Sequence, residues 1–143
     1  MAVVSVASAV WNGTLKEGDG GFSAGSGAFS GPYTFATRFE GKPGTNPEEL
    51  LAAAHAACFS MALSSALEKA GTPSSKIETT AHCTMDTIDG KPTVAVMKLV
   101  VKATVPGAEQ SAFQQAVDAT KVGCPVSRAL NIPTVTVEAT LAA

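Results

Sequence analysis

A long apolar run, LLAAAHAACFSMALSSAL at residues 50–67, directly follows the tetrapeptide Asn46-Pro47-Glu48-Glu49. Asn is a favoured helix N-cap and Pro suits the first helical position. Glu49 falls at the third position, where its side chain can close a capping box. The two segments together therefore predict one helix that begins after Asn46, runs to about Ala70 and ends at Gly71.

The predicted helix carries no charge over residues 50–67, which hold no Asp, Glu, Lys or Arg. A helix that is apolar on all sides is either a buried central helix or a membrane span. Residues 50–67 reach the lower length limit for a span. We favour a buried helix because serines and His55 interrupt the run, and no cluster of positive residues flanks one end.

The rest of the chain predicts strands and shorter helices. Residues 12–31 are rich in Gly and Ser, which indicates turns and a twisted hairpin. Strands are predicted from apolar alternation at residues 3–11, 32–39, 77–88, 93–103 and 134–141, with Asp89-Gly90 as a hairpin turn. Helices are predicted at residues 108–121 and 124–130. This order predicts an α+β fold with mostly antiparallel strands, in a single domain of residues 1–143.

Composition limits the classes of function. Hydrophobic residues make up 45% of the chain, charged residues 15%, and the net charge is −2. This excess of apolar surface favours a homo-oligomer, and the absence of any Lys/Arg block argues against nucleic-acid binding. The first basic residue is Lys16, so no secretory signal is predicted and a cytoplasmic location is expected. In that compartment a disulfide is more often catalytic than structural.

Two cysteines lie in settings that suit a pair cycling between thiol and disulfide. Cys58 lies inside the apolar helix, where a thiol is unreactive unless a cation is near. Arg38 is the leading candidate for that cation, and its guanidinium could also bind a peroxide oxygen. Cys124 lies at a helix N-terminus, whose partial positive charge favours a thiolate. The alternatives are an inert buried Cys58, an ordinary surface Arg38 and a Cys124 that merely fits an N-cap.

Glu49 is a candidate partner for these groups, although a capping box alone would explain it. Glu49 and Cys58 are nine residues apart. On a straight helix this separation places them on opposite faces and roughly 13 Å apart along the axis. Glu49 can therefore serve the same site only through Arg38 or through a second copy of the chain, which is a hint of a site at a dimer interface.

The remaining cysteine and a histidine invite simpler interpretations. Cys83 falls on the inward face of a predicted strand, so we interpret it as a packing residue. His55 lies one turn before Cys58 on the same helix face and could touch the site, although a packed histidine is the alternative. No pair of ligands has C-x-x-C or H-x-x-x-H spacing, so no metal site is expected.

Four blocks of the sequence closely resemble the osmotically inducible protein C (OsmC) peroxidases. The blocks are Thr37–Gly41, Gly44–Leu50, Ala53–Leu63 and Gly123–Ser127. The similarity extends over the whole chain. The Thr-Arg-Phe-Glu-Gly and Ala-His-Ala-Ala-Cys segments resemble OsmC proper more than the sister group, the organic hydroperoxide resistance (Ohr) proteins.

The resemblance implies an OsmC-like fold, an intertwined homodimer in which antiparallel sheets surround long central helices. It implies a thiol-dependent peroxidase that reduces organic hydroperoxides, and hydrogen peroxide less well, in oxidative and osmotic stress defence. No cofactor is expected beyond an external dithiol of the lipoyl or thioredoxin type. Neither nucleic acid nor a membrane is expected as a partner, and the active sites are expected at the dimer interface.

The resemblance also implies residue roles. Cys58 is the peroxidatic nucleophile, Cys124 is the resolving cysteine, Arg38 activates Cys58 and binds the peroxide, and Glu49 orients Arg38 through a salt bridge. Four apolar side chains are expected to line a substrate site: Phe35, Phe39, Phe59 and Met61. Two other functions stay open, a non-catalytic redox sensor or scaffold that uses the same cysteine pair, and a thiol hydrolase with His55 as its base.

Overall fold

The structure, a computed structural model, describes residues 1–142. The chain divides into two compact units, Met1–Glu49 and Leu50–Ala143, termed the N-terminal unit and the C-terminal unit. The single domain of residues 1–143 stays a prediction.

The N-terminal unit is a three-stranded antiparallel sheet followed by a short helix. Its elements are β1 Ala7–Asn12, β2 Asp19–Ala24, β3 Ser30–Tyr33 and α1 Phe35–Phe39, with the strands in the order β1-β2-β3. The predicted hairpin within residues 12–31 is therefore present as β2 and the start of β3. The first strand begins at Ala7 and not at residue 3.

Gly20 on β2 allows two aromatic rings from the neighbouring strands to meet. A Cβ at this position would lie 2.7 Å from the ring of Trp11 and 2.8 Å from the ring of Tyr33, closer than real Cβ contacts. With glycine there, the two ring centroids lie 5.3 Å apart in a tilted pair. This aromatic pair forms one wall of a cavity described below.

The predicted strand at residues 32–39 is wrong in its second half, which is helix α1. Thr34 is the N-cap, and its hydroxyl accepts a hydrogen bond from Thr37 N at 3.2 Å. The Thr37 hydroxyl accepts in return from Thr34 N at 2.9 Å, which completes a capping box. Phe35 and Phe39 then stack one turn apart, with ring centroids 5.0 Å apart. The alternation of aromatic and polar residues fits a strand, but this local cap favours a helix and places Arg38 on it.

The C-terminal unit holds the second sheet and most of the helical residues. Its elements are α2 Pro47–Lys69 (which begins in the N-terminal unit), β4 Lys76–Ile88, β5 Lys91–Thr104, α3 Gln110–Gly123, α4 Pro125–Ala129 and β6 Thr134–Ala142. The strand order is β4-β5-β6, with β4 antiparallel and β6 parallel to β5. Asp89 and Gly90 have φ values of 52° and 75°, so the predicted hairpin turn is confirmed. The α+β class is confirmed as well.

Helix α2 has the predicted bounds within one residue, and it buries one stripe of its surface in the chain. The stripe follows the four-residue spacing of one helix face and comprises His55, Phe59, Leu63 and Leu67. It packs on the core formed by β5 and α3, which includes Leu99 and Phe113. Other faces remain open: Ala53, Ala54 and Ala57 are exposed, and Met61 is 79% exposed.

By length and composition alone, helix α2 could cross a membrane, since its mean hydropathy reaches 1.6. Central helices of soluble proteins meet the same criterion. The buried stripe, which packs on the core of the C-terminal unit, is what a central helix requires. No membrane is therefore needed to explain its composition.

Candidate functional site

Cys58 and Cys124 meet within the C-terminal unit. Cys58 is half-buried on α2, and Cys124 is fully buried between α3 and α4. Their Sγ atoms lie 2.9 Å apart. The backbone N–H of Val126 also donates to Cys58 Sγ at 3.4 Å. Since the two residues are 66 positions apart in the chain, it is the fold that brings these thiols within reaction distance.

Cys124 owes its position to a tight connection between two helices. Its backbone N–H donates to Thr120 O, which ends α3, and its carbonyl accepts from Arg128 N in α4. Pro125 occupies the first turn of α4, as the sequence predicted. Cys124 is therefore the N-cap residue of α4, although its side chain makes no capping hydrogen bond.

The two thiols differ in acidity. Burial raises the pKa of Cys58, and its hydrogen bond with Cys124 adds to the rise, while the N–H of Val126 acts in the opposite direction. Burial also tends to raise the pKa of Cys124. That effect is outweighed by the hydrogen bond with Cys58 and by the polar groups of Ser127 and Val126 at the start of α4, so the pKa of Cys124 is lowered overall.

His55 contacts the same helix start from α2. It is fully buried, and its Nε2 lies 2.7 Å from the hydroxyl oxygen of Ser127. Its other ring nitrogen, Nδ1, is buried without a hydrogen-bond partner in the described part of the chain. Burial lowers the pKa of His55, so the ring is held neutral. His55 is thus hydrogen-bonded to the first turn of α4, the helix that begins after Cys124.

The N-terminal unit contains an ion pair that the sequence assigned to the wrong glutamate. Arg38 donates from Nε to Glu48 Oε1 at 3.0 Å, and its Nη2 lies 3.0 Å from the same oxygen. The Glu48 side chain is 9% exposed and that of Arg38 is 38% exposed. Glu49 is instead exposed. The partner of Arg38 in this chain is therefore Glu48, and the role given to Glu49 is corrected.

The start of helix α2 explains why the carboxylates divide in this way. Glu49 N donates to Asn46 Oδ1 at 2.8 Å, which confirms Asn46 as the N-cap. The Asn46 amide also donates to Thr37 O at 3.0 Å and ties the helix start to α1. Adjacent positions point about 100° apart on a helix, so when Glu48 turns towards α1, Glu49 points away. The sequence shows two adjacent acids and gives no local reason to prefer one.

Arg38 opens onto an aromatic cavity of about 180 Å³ in the N-terminal unit. Its lining residues are Trp11, Leu15, Tyr33, Thr34, Phe35, Arg38 and Phe39. Phe35 and Phe39, two of the four predicted substrate residues, therefore share one cavity with a guanidinium. Substrate binding there stays a prediction.

The other two predicted substrate residues lie in the C-terminal unit. Phe59 is fully buried in the core. A ring without exposed surface offers nothing to a ligand, so Phe59 is reassigned to packing. Met61 is open to solvent, and its contact with substrate stays a prediction.

The described residues, 1–142, contain no group of three or more His, Cys, Asp and Glu side chains placed to hold a metal ion. Cys83 is half-buried on β4 and packs against the core of the C-terminal unit, in line with its interpretation as a packing residue. The sequence missed Ser127 as a site residue. Its place three residues after Cys124, in the first turn of α4, could have indicated that it lies near the cysteine pair.

Comparison with known proteins finds a family model and curated relatives that agree with each other. The family model described as OsmC-like protein matches residues 39–139. The chain is 45% identical over 131 residues to the peroxiredoxin OsmC of Escherichia coli K12. The aligned region covers 91% of this chain and 92% of that protein. The peroxiredoxin OsmC of Shigella flexneri matches to the same extent.

Solved structures share the fold. The organic hydroperoxide resistance protein OsmC of Legionella pneumophila has a TM-score of 0.73 at 20% identity, covering 100% of this chain and 99% of that one. The organic hydroperoxide resistance protein OhrB of Bacillus subtilis has a TM-score of 0.66 at 24% identity, covering 94% and 98%. At these identities the likeness concerns the fold alone.

The curated relative is a peroxiredoxin, and the fold is shared with an Ohr protein. The class of this chain is therefore that of the peroxiredoxin-like hydroperoxide reductases. The family model covers more than half of the chain and the curated relative nearly all of it. Within that class, the chain belongs to the OsmC family.

The ion pair gives the first testable prediction. Glu48→Gln should lower the free energy of unfolding by about 1–3 kcal/mol, because it leaves a charged donor of Arg38 without its anionic partner. This loss in the free energy of unfolding is smaller than the loss for a fully buried ion pair, because Arg38 keeps contact with solvent. Urea unfolding measures the change. Glu49→Gln is the matched control, and an equal loss in both variants would contradict the assignment to Glu48.

Proposed function

We propose that the protein is a two-cysteine, thiol-dependent peroxidase that reduces organic hydroperoxides, and hydrogen peroxide less well. The observation that carries the proposal is the 2.9 Å approach of Cys58 Sγ and Cys124 Sγ. A catalytic cycle through a disulfide needs two sulfurs that can reach each other, and an inert buried thiol would need no such partner. The proposed two-cysteine cycle and substrate are more specific than the name of the curated relatives, which are peroxiredoxins.

The cycle has two chemical steps. The Cys58 thiolate attacks the O–O bond of the hydroperoxide, the alkoxide leaves and takes up a proton as alcohol, and Cys58 becomes a sulfenic acid. The Cys124 thiolate then attacks the Cys58 sulfur, the S–S bond forms and the S–O bond breaks with release of water. An external dithiol returns both residues to thiols, at the expense of its own oxidation to a disulfide.

The acidity of the thiols requires a separate activator for Cys58. Burial raises the pKa of Cys58, and the hydrogen-bond partners of its sulfur, Cys124 and Val126, are neutral. A cation near a thiol favours the thiolate. We assign this role to Arg38, which Glu48 holds through its ion pair. The lowered pKa of Cys124 suits a resolving residue, because a more acidic thiol also leaves more easily on reduction.

The cavity beside Arg38 supports an apolar substrate. Its walls include the rings of Trp11, Tyr33, Phe35 and Phe39, and the guanidinium of Arg38 supplies the cation. Aromatic walls bind an alkyl or aryl group, and a guanidinium binds a peroxide oxygen. Hydrogen peroxide has no apolar part to bury, so it should react more slowly than organic hydroperoxides.

We further propose that the cycle uses no cofactor and draws electrons from a dithiol of the lipoyl or thioredoxin type. A cytoplasmic location and a role in oxidative and osmotic stress defence fit this chemistry, because the cytoplasm supplies reduced dithiols. Neither a nucleic acid nor a membrane is proposed as a partner.

A homodimer is the proposed assembly, with active sites at its interface. Helix α2 leaves Ala53, Ala54, Ala57 and Met61 exposed along its length. Exposed apolar faces of this kind commonly mark protein–protein contacts. A second copy of the chain is the proposed cover, since the same uncharged face on two copies can pack on itself around a twofold axis.

The dimer is tested by a charge on this helix face. Met61→Lys should convert a dimer into monomers, because it would bury an unpaired ammonium in the interface. Sedimentation velocity measures the mass. Gln115→Lys is the matched control, since it adds the same charge on an exposed position of α3. A wild-type protein that sediments as a monomer, or a Met61→Lys variant that remains a dimer, would contradict the proposed interface.

The cysteine roles are tested by mass spectrometry after one equivalent of cumene hydroperoxide. The fully reduced protein should lose two hydrogens, mapped to a Cys58–Cys124 disulfide that a dithiol reverses. Cys58→Ser should not consume peroxide. Cys124→Ser should turn over once and then over-oxidise at Cys58 in excess peroxide.

Two outcomes would contradict the peroxidase. Modification confined to Cys83 would mean that the cysteine pair is not the reactive one. A disulfide that forms but supports no repeated turnover with a dithiol would favour a redox sensor that uses the same pair.

Activation by Arg38 predicts a loss of rate without a loss of fold. Arg38→Ala should lower the second-order rate with cumene hydroperoxide by about 100-fold or more, since it removes the charge that stabilises the thiolate and the developing alkoxide. Stopped-flow peroxide consumption measures the rate. Lys42→Ala is a control that removes a neighbouring exposed cation, and equal rates in wild type and Arg38→Ala would refute the activation.

A further inference from the structure

A side-chain hydrogen bond lies one helical turn away from the cysteine pair in the C-terminal unit. His55 is fully buried, and its Nε2 lies 2.7 Å from Ser127 Oγ. His55 precedes Cys58 by three residues on α2, and Ser127 follows Cys124 by three residues at the start of α4. The hydrogen bond and the pair of sulfurs therefore join the same two segments at two points, one turn apart.

These two contacts share one antiparallel register. A step of three residues forward along α2, from His55 to Cys58, corresponds to a step of three residues back along the other segment, from Ser127 to Cys124. Residues three apart on a helix lie on the same face, so α2 presents the imidazole and the sulfur to the same side. A bond that fixes the first contact therefore also limits where the two sulfurs can lie.

Helix α4 depends on such a bond because little of its own surface packs in the core. It is five residues long, Pro125–Ala129, and none of these residues is fully buried. A helix of this length is not stable by itself and needs tertiary contacts. The backbone N–H of Val126, which donates to Cys58 Sγ at 3.4 Å, belongs to the same first turn. The position of that turn therefore sets two contacts of the Cys58 sulfur, with Cys124 Sγ and with Val126 N.

Packing alone does not account for a histidine at position 55. Its Nδ1 is buried without a hydrogen-bond partner among residues 1–142, which carries a desolvation penalty. An apolar side chain would fill the same space without that penalty. The hydrogen bond from Nε2 to Ser127 is therefore what the imidazole provides here and an apolar residue would not.

We propose that His55 and Ser127 are positioning residues, whose hydrogen bond holds the start of α4 in the register that brings Cys124 Sγ onto Cys58 Sγ. The inference rests on the proposed two-cysteine cycle and adds to it the groups that keep the pair together. Without this bond, the start of α4 can move away from α2 while both cysteines are reduced. In the oxidised protein the S–S bond itself joins the two segments. The hydrogen bond therefore favours the disulfide over the dithiol and shortens the lifetime of the Cys58 sulfenic acid.

The size of the effect follows from the net contribution of one hydrogen bond, which shifts an equilibrium by about three- to tenfold. Ser127→Ala should therefore make the Cys58–Cys124 disulfide about three- to tenfold easier to reduce at equilibrium. This corresponds to a reduction potential that is less negative by about 15–30 mV. A loss of stability shared by the reduced and oxidised folds cancels in this potential, so a merely structural role would leave it unchanged.

The potential is measured by equilibrating each protein with reduced and oxidised dithiothreitol at pH 7, then mapping the alkylated cysteines by mass spectrometry. Ser127→Ala removes one partner of the bond and leaves a buried ring nitrogen unpaired. The double variant His55→Leu/Ser127→Ala removes both partners and so avoids that penalty. Ser127→Thr keeps the hydroxyl. The matched control, Ser60→Ala/Thr79→Val, removes another side-chain hydrogen bond of α2 that is also 2.7 Å long.

Ser127→Ala and the double variant should both shift the potential by this amount, whereas Ser127→Thr and the Ser60→Ala/Thr79→Val control should match the wild type. An unchanged potential in both variants that lack the hydroxyl would overturn the inference. An equal shift in the control would also overturn it, since the loss of any side-chain bond of α2 would then suffice. This measurement uses no peroxide, so its outcome does not depend on the proposed function.

A kinetic measurement relates the hydrogen bond to the cycle. In excess cumene hydroperoxide, the Cys58 sulfenic acid either condenses with Cys124 or is oxidised further to sulfinic acid. The peroxide concentration that over-oxidises half of Cys58 should fall about three- to tenfold in Ser127→Ala and keep its wild-type value in Ser127→Thr. An unchanged concentration in Ser127→Ala would overturn the inference and leave the peroxidase intact. A wild type that neither forms the disulfide nor over-oxidises would instead refute the proposed function.

Discussion

The meeting of Cys58 and Cys124 is the constraint on which the rest of the site depends. Two sulfurs 66 positions apart in the chain lie 2.9 Å from each other because each belongs to a helix fixed in the core. The stripe from His55 to Leu67 anchors α2, and the hydrogen bonds of Cys124 to Thr120 and Arg128 fix the turn between α3 and α4. Holding the reactants together replaces a bimolecular encounter by an intramolecular step.

The same arrangement separates the chemical characters of the two thiols. Cys58 lies within a helix whose own N–H groups are already bonded to carbonyls, so it receives one N–H from another element. Cys124 lies at a helix start, where unpaired N–H groups are available. The pKa of Cys124 is lowered by its hydrogen bond with Cys58, and the backbone of the helix start adds to that effect. The less acidic and more nucleophilic sulfur can act first only if a side-chain cation promotes its ionisation, which is the role proposed above for Arg38.

The sequence predicted those features that depend on local signals and missed those that depend on which way a side chain turns. The cap at Asn46, the turn at Asp89-Gly90 and the start of α4 at Pro125 follow from residue chemistry within a few positions. The segment 35–39 was predicted as a strand because aromatic alternation fits both periods, and the Thr34–Thr37 capping box that decides for a helix has no distinctive composition.

The choice between Glu48 and Glu49 shows the same limit at the site. Both are acids in the first turn of one helix, and only the packing of that turn on α1 gives one of them to Arg38. Burial of a single carboxylate oxygen without a partner, Glu48 Oε2, carries an energetic penalty. The fold tolerates two such atoms in its described part, Glu48 Oε2 and His55 Nδ1. The other oxygen of Glu48 holds Arg38, a residue of the proposed cycle, so this penalty falls where orientation matters more than stability.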